Sequence, residues 1–232
     1  MASGCGVDGC PVGWVVAQVQ GRRASLDICD TASQLSDVVA ASVRILIDIP
    51  IGLGESEPAR ECDRQARALL GERRSSVFNP PVRGVLEATD YRLANQLSRS
   101  LCGKGISRQS FNILPKIREV DQWLREDGVA RGRVYEAHPE LCFMGLTGGA
   151  VMRYNKNQPE GFSERLDVLQ RFIDDAAVLV EQVLSSYPRR AVAADDILDA
   201  LVCAVTAARP ACWLRLPEPV PRDSADLPMQ MV

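Results

Sequence analysis

The amino-acid sequence predicts an α/β protein built on one mixed β-sheet, in which three antiparallel strands precede parallel strands and helices flank the sheet. Two observations predict this fold. The first 30 residues alternate between short apolar segments and turn residues, which is typical of consecutive hairpins. Later, the nearly continuous apolar run "RILIDIPIGL" over 44–53 is typical of a buried parallel strand. At 232 residues, the chain is expected to form a single domain over 1–232, with a helical insertion at about 55–130.

The elements that precede the buried strand follow in a specific order. Strands are predicted over 5–8, 14–20 and 24–29, separated by turns that contain Gly or Pro. A helix is predicted over 31–42, "TASQLSDVVAAS", because it opens on a helix start signal and its apolar residues recur at helical spacing. This order, in which three antiparallel strands are followed by a crossover helix and a parallel strand, is found in only some of the folds of the α/β class.

The rest of the chain contains the insertion and further elements of the sheet scaffold. The insertion at 55–130 has helical segments joined by a loop with Asn-Pro-Pro, and insertions of this length are usually functional. The scaffold resumes with a strand and a helix over 133–146, followed by helices over 163–186 and 194–208. The last segment, "LPMQMV" at 227–232, is predicted to add an edge strand, which could pair with a second copy in a homodimer.

Composition argues against several classes of protein. The sequence has no run of about 18 apolar residues, so no membrane-spanning helix is expected. Its N-terminus lacks the pattern of a secretory signal, and its eight cysteines lie mostly among apolar residues. These features predict a cytoplasmic protein with reduced cysteines. A structural zinc site is excluded because there is no C-x-x-C pair and only one histidine.

Positive charge is concentrated in one segment of an acidic protein. Residues 60–118 carry twelve Lys or Arg against five Asp or Glu, a net charge of +7, whereas the remainder carries 15 basic and 25 acidic residues, a net charge of −10. A solvated helical face is one explanation of such a segment. The contrast with the remainder favours nucleic acid as a partner. The residues predicted to contact its phosphates are Arg73, Arg74, Arg83, Lys104, Arg108 and Lys116.

Several carboxylates occupy positions that a sheet can bring together. Each lies in a predicted strand, at the end of one, or in the first turns of the last helix: Asp8, Asp48, Glu136, Asp195, Asp196 and Asp199. Crowded carboxylates repel one another unless a divalent cation lies between them. Oxygen ligands without a His/Cys cluster favour Mg²⁺ or Mn²⁺. A pair of such ions about 4 Å apart is suited to the hydrolysis of phosphodiesters.

Each carboxylate also has a structural explanation. Asp195 and Asp196 could cap the last helix, an effect of roughly 1 kcal/mol. Asp199 lies one turn further along, where no cap is needed, and Glu136 could be a surface residue at a strand end. Asp8 and Asp48 lie among apolar residues of predicted strands, where burial of a charge costs several kcal/mol unless it is paired.

Six segments resemble a known family in sequence and in order. They are "GVDGCPVGWVVA", "LIDIPIGL", "RECDRQARALLG" with "RRSSVFNPPVR", "GKGISRQSFNILPKIREVD", "VYEAHPELCF" and "DDILDALVCAVTA". Together they resemble the domain of unknown function family 429, which is commonly labelled a predicted ribonuclease-H-like nuclease. The resemblance implies a ribonuclease-H-like fold that holds two metal ions through acids of the first strand, the fourth strand and the final helix.

Residue by residue, the resemblance implies metal-binding roles for Asp8, Asp48 and Asp196 or Asp199. Glu136 is added because of its motif and its expected position. The sequence therefore predicts a metal-dependent nuclease with five catalytic and metal-binding residues, listed in chain order as Asp8, Asp48, Glu136, Asp196 and Asp199. Two alternatives stay open: a phosphotransferase of the related actin-like superfamily, and a non-catalytic module that binds nucleic acid or protein.

Overall fold

The protein contains a mixed five-stranded β-sheet, as the sequence predicts. In the computed structural model, which describes residues 2–40 and 43–232, the sheet order is β3-β2-β1-β4-β5. The strands are β1 Ser3–Cys10, β2 Gly13–Gln20, β3 Arg23–Cys29, β4 Ile45–Ile47 and β5 Val134–Glu136. The first three strands are antiparallel, whereas β4 runs parallel to β1 and β5 runs parallel to β4. The α/β fold with a mixed sheet is therefore confirmed.

Helices flank the sheet and make up most of the remaining regular structure. The α-helices of the described chain are α1 Leu35–Val38, α2 Glu61–Leu70, α3 Tyr91–Cys102, α4 Arg108–Asn112, α5 Leu114–Glu126, α6 Gly128–Arg133, α7 Pro139–Leu146, α8 Pro159–Gln170, α9 Ala176–Ser186 and α10 Ala194–Ala207. None of these helices is long and apolar enough to cross a membrane.

Two predicted elements are much shorter than expected. The helix predicted over 31–42 is a 3₁₀ turn at Ala32–Gln34 followed by α1, and residues 41–42 lie outside the described residues. The strand predicted over 44–53 ends at Ile47. Pro50 has no N–H to donate to a sheet, and the carbonyls of the next two residues accept hydrogen bonds from the buried guanidinium of Arg60 instead.

The helix predicted over 163–186 is two helices, α8 and α9. The break between them lies against the turn that joins β2 to β3. There, Arg22 donates to the carbonyl of Arg171 and pairs with Asp174 at 2.5 Å, and the Asp174 N–H donates to the Arg22 carbonyl. These tertiary hydrogen bonds replace helical ones, so periodicity along the chain could not reveal the break.

The predicted edge strand at 227–232 is wrong. The C-terminal segment forms isolated bridges, Leu216 with Met231 and Arg222 with Pro228, and the Val232 N–H donates to the Glu136 carbonyl of β5 at 3.0 Å, but the segment adds no strand to the sheet. Pro228 lies within this segment and cannot donate to a ladder. The homodimer that this strand was expected to support stays a prediction.

The chain divides into two compact units. The first comprises Met1–Asp48, Gly132–Leu214 and Val232, and contains the whole sheet. The second comprises Ile49–Arg131 and Arg215–Met231, so it includes the predicted insertion and most of the C-terminal tail. The single domain over 1–232 stays a prediction.

Two glycines of β1 allow α10 to lie directly on the sheet. Gly4 and Gly6 share one face of the strand with Asp8, because alternate residues of a strand point to the same side. A Cβ on Gly6 would lie 2.0 Å from the Ala200 carbonyl oxygen, and one on Gly4 would lie 2.3 Å from the Ala208 nitrogen. The helix meets this surface with Ala200, Ala204 and Ala207, so the two backbones pack without intervening side chains.

The replacement of Gly6 by alanine should destabilise the first unit. The added Cβ would overlap the backbone of α10, so we expect the free energy of unfolding to fall by about 3 kcal/mol or more. Gly132→Ala is the matched control, because a Cβ there meets no atom within 4 Å. Urea denaturation of both variants tests this, and equal stability of Gly6→Ala and wild type would contradict the close packing.

Candidate functional site

Three carboxylates from separate elements converge at the C-terminal edge of the parallel strands. Asp8, Asp48 and Asp199 each place a carboxylate oxygen within 4.8 Å of the others. We call these three residues the acidic cluster. Asp8 and Asp199 are buried, and Asp48 is partly buried. A cluster of buried oxygen ligands of this kind could bind a metal ion, and it contains no sulfur or nitrogen ligand that would favour zinc.

The register of the sheet aligns the first two members. Val7 of β1 pairs with Ile47 of β4, and the Asp48 N–H donates to the Val7 carbonyl at 2.9 Å. Asp48 therefore follows the end of β4 at the level where Asp8 lies in β1, on the same face of the sheet. The Asp8 carboxylate also accepts the Gly9 N–H at 2.7 Å, which fixes its orientation.

The third member comes from α10, one residue before the contact with β1. The close approach at Gly6 involves Ala200, so Asp199 is carried to the neighbourhood of Asp8, two residues after Gly6 in the strand. Asp199 is 2% exposed. Because its neighbour Ala200 lies against Gly6, the position of Asp199 depends on the packing of the helix on the glycine face of β1.

Burial and mutual repulsion disfavour ionisation of the acidic cluster. Burial raises the pKa of Asp8 well above its usual range, and the charges of Asp48 and Asp199 raise it further. Burial, followed by the charge of Asp199, raises the pKa of Asp48 to about 7. The pKa of Asp199 is also raised by burial, although Lys156 opposes the effect. A bound cation would remove the repulsion that causes part of these shifts.

The two acids at the start of α10 have different roles in the structure. Asp196 accepts the Ala193 N–H at 3.0 Å, which is the capping interaction that the sequence offered as an alternative. Burial nevertheless raises the pKa of Asp196 to about 6. Asp196 is not one of the three residues that converge within 4.8 Å. Asp195 pairs with Lys156 at 3.1 Å.

Lys156 is the functional candidate that sequence reasoning missed. Its Nζ lies 2.7 Å from Asp199 Oδ2, so a fixed cation contacts the acidic cluster. Burial lowers the pKa of Lys156, but Asp199, Asp8 and Asp195 outweigh this effect and raise it above its usual range. Lys156 is the only lysine outside the basic segment at 60–118, which was the one available signal. It lies on a loop, where no periodicity predicts a neighbour.

The loop that carries Lys156 is held by α8. Glu164 accepts hydrogen bonds from the N–H groups of Arg153 and Tyr154, at 2.9 and 3.0 Å. The buried guanidinium of Arg165 donates to the Tyr154 carbonyl and pairs with Glu140 at 2.5 Å. The position of Lys156 is therefore determined by a network of backbone and ionic contacts.

The structure does not bring Glu136 to the acidic cluster, which corrects the position expected from its motif. Glu136 pairs in register with Ile47, and Ile47 with Val7, so its side chain points to the face of the sheet opposite Asp8 and Asp48. The nearby glutamate on the cluster's side is Glu140 of α7, whose charge acts on Asp48 and Asp199. A strand shift of one residue reverses the face, and the sequence did not define the register.

The predicted phosphate-binding residues lie in the second unit, in different environments. Arg83 forms ion pairs with Asp121 and Asp223 and is 14% exposed, so its charge is already compensated. Arg108 is exposed and stacks 3.8 Å from the centre of the Tyr91 ring. The others divide by exposure: Arg74 and Lys104 are exposed, and Arg73 and Lys116 are partly buried.

The metal-free protein should lose stability as the pH rises. The folded-state pKa of Asp48, about 7, lies above the value of about 3.9 for an exposed aspartate. The folded protein therefore retains a proton that the unfolded chain loses, and the free energy of unfolding falls between about pH 4 and pH 7. Asp48→Asn cannot ionise, so we expect it to melt several degrees above wild type at pH 8, and not at pH 4.

Thermal unfolding in EDTA across this pH range is the measurement. Asp27→Asn, which removes an exposed carboxylate from β3, is the control and should follow wild type. If Asp48→Asn loses as much stability with rising pH as wild type does, ionisation of Asp48 is not the cause of the loss.

Comparison with known proteins supports the family assignment made from the motifs. The sequence profile of the family described as Protein of unknown function (DUF429) matches residues 6–222. No curated protein and no solved structure matches the chain. The matched range includes most of both compact units and every residue of the acidic cluster. The chain therefore belongs to the DUF429 family of proteins of unknown function.

Proposed function

We propose that this chain is a metal-dependent nuclease of ribonuclease-H-like fold, which hydrolyses phosphodiester bonds of DNA or RNA with Mg²⁺ or Mn²⁺ held by Asp8, Asp48 and Asp199. The observation that carries the proposal is the convergence of three carboxylates within 4.8 Å. They come from β1, the end of β4 and α10, which are far apart in the chain, and they are drawn together despite burial and repulsion. A divalent cation offsets that repulsion, and the oxygen-only ligand set fits Mg²⁺ or Mn²⁺.

In the proposed reaction, carboxylates of the chain would bind the metal ions and Lys156 would contact the substrate. When bound, a pair of divalent ions would supply an activated water and stabilise the leaving oxygen. Asp8, Asp48 and Asp199 would hold the ions, and Asp196, one turn before Asp199 on α10, is a further carboxylate whose charge acts on Asp8 and Asp48. Lys156 places a fixed positive charge beside these residues, where it can contact an anionic substrate.

Exposed cations of the second unit support nucleic acid as the substrate. Arg74, Lys104 and Arg108 lie at the surface, and all three come from the basic segment. Phosphate contacts of this kind supply sequence-independent affinity. All eight cysteines are free thiols, which supports the cytoplasm as the site of action.

Metal binding and cleavage test the proposal in sequence. Metal-stripped wild type should bind Mn²⁺ saturably by calorimetry. Asp8→Asn and Asp199→Asn should each weaken the affinity by at least about tenfold, which corresponds to 1.4 kcal/mol. Asp27→Asn, the exposed carboxylate of β3, should bind as wild type does. In Mn²⁺, wild type should cleave at least one member of a panel of single- and double-stranded DNA and RNA, and Asp8→Asn should cleave none.

Two results would contradict the proposal. Equal heats of Mn²⁺ binding in wild type and both variants would show that Asp8 and Asp199 do not bind the metal ion. Normal metal binding without cleavage of any nucleic acid would contradict the nuclease and favour the alternative, a non-catalytic binding module.

Lys156 should compete with a bound metal ion. Its ammonium group lies 2.7 Å from a proposed ligand oxygen, so a divalent ion must tolerate or displace it. Lys156→Gln should therefore bind Mn²⁺ at least about tenfold more tightly than wild type, while cleaving more slowly. Calorimetry measures the change in Mn²⁺ affinity, with Lys104→Gln, in the second unit, as its control, and initial rates of wild type and Lys156→Gln measure the change in cleavage. Weaker Mn²⁺ binding by Lys156→Gln would show that Lys156 supports the site instead.

A further inference from the structure

A groove in the first unit opens beside the acidic cluster. It encloses a cavity of about 450 Å³, and Lys156, which contacts Asp199, is part of its wall. We call it the Lys156 groove. Cavities of this size hold small organic ligands. Because the groove and the acidic cluster share a contact through Lys156, a group bound in the groove lies next to whatever the cluster binds.

The floor of the Lys156 groove is apolar and fixed. It is formed by Pro159 and Phe162 of α8 and by Leu184 of α9. Phe162 and Leu184 are half-buried and pack against the hydrophobic core of the first unit, so they do not need to be ordered when a ligand binds. An aromatic ring and an aliphatic side chain that line the same groove suit a planar base.

The rim of the groove carries two cations, Arg189 and Lys156, of which Lys156 pairs with both Asp195 and Asp199. Lys156 and Arg189 line it together with one acid, Asp195, which pairs with Lys156 at 3.1 Å. Arg189 is exposed and makes no ion pair within residues 2–40 and 43–232. An apolar floor with cations at the rim matches a nucleotide, which has an apolar base and an anionic phosphate.

We propose that the Lys156 groove binds one unpaired nucleotide of a single-stranded nucleic acid, with its base on Phe162 and Leu184 and its phosphate at Lys156 and Arg189. The inference rests on the proposed function, because it places this nucleotide beside the phosphodiester that the acidic cluster would cleave. A base within a duplex has both faces stacked and cannot lie on the floor, so the groove selects an unpaired strand.

Binding of a labelled single-stranded oligonucleotide of about ten nucleotides tests the rim, with anisotropy measured in EDTA so that no cleavage occurs. Arg189→Glu should raise the Kd at least about tenfold. Arg190→Glu makes the same charge change on the adjacent exposed residue, which does not line the groove, and should raise the Kd less than about threefold. Equal losses in both variants, an unchanged Kd in Arg189→Glu, or no binding by wild type would overturn the inference.

A second probe tests the floor. An abasic oligonucleotide of the same length keeps the phosphates and lacks the bases, so wild type should bind it about tenfold more weakly than the normal strand. Phe162→Leu keeps an apolar side chain in the core but loses the aromatic face, and it should bind the two probes more nearly equally. If wild type does not distinguish the probes, no base lies in the groove and the inference is overturned.

These measurements separate the groove from the nuclease activity because none of them requires cleavage. If binding depends on the groove but no substrate is cleaved, the proposed function is contradicted and the inference about the groove is supported. If cleavage depends on Asp8 but Arg189→Glu binds the oligonucleotide as tightly as wild type, the inference about the groove is contradicted and the proposed nuclease function is supported.

Discussion

The packing of α10 against Gly4 and Gly6 is the constraint on which the candidate site depends. With no side chain between them, the backbone of the helix and that of β1 approach to distances that a single Cβ would prevent. Asp199 precedes this contact on the helix, and Asp8 follows it on the strand. The same packing that closes the core of the first unit therefore brings the two carboxylates together. The parallel pairing of β1 and β4 then adds Asp48 at the same level.

The acidic cluster is unfavourable for folding, and its three carboxylates could bind a cation. Burial and repulsion raise the pKa values of its members, so the metal-free protein carries strain at neutral pH that apolar residues would not introduce. Lys156 relieves part of this strain through Asp199, and its loop is held in place by Glu164 and Arg165. Sites that reduce stability in this manner are characteristic of function, because binding recovers the cost.

The second unit shows that net charge in a sequence overstates the charge available to a partner. Arg60 is buried against Asp63 and two carbonyls, and Arg83 pairs with Asp121 and Asp223. Arg118 donates to the carbonyls of Leu86 and Ala88. These arginines stabilise loops that lack regular secondary structure. The cations that remain at the surface, such as Arg74 and Lys104, are therefore the relevant ones for a polyanion.

The sequence by itself determined the mixed sheet and the family, and it included Asp8, Asp48 and Asp199 among its five candidate metal ligands, because alternation, apolar runs and isolated carboxylates are local properties of the chain. The sequence analysis also included Glu136 in this set, but the register of β5 places its side chain on the face of the sheet opposite Asp8 and Asp48. Only the tertiary structure decided that Lys156 contacts the acidic cluster and that Asp196 caps its helix. The contact of Lys156 joins a loop to a helix 43 residues away, and no local pattern encodes that distance. The Asp196 cap is local, but the sequence offered both a cap and a metal ligand at this position, and only the structure decided between them.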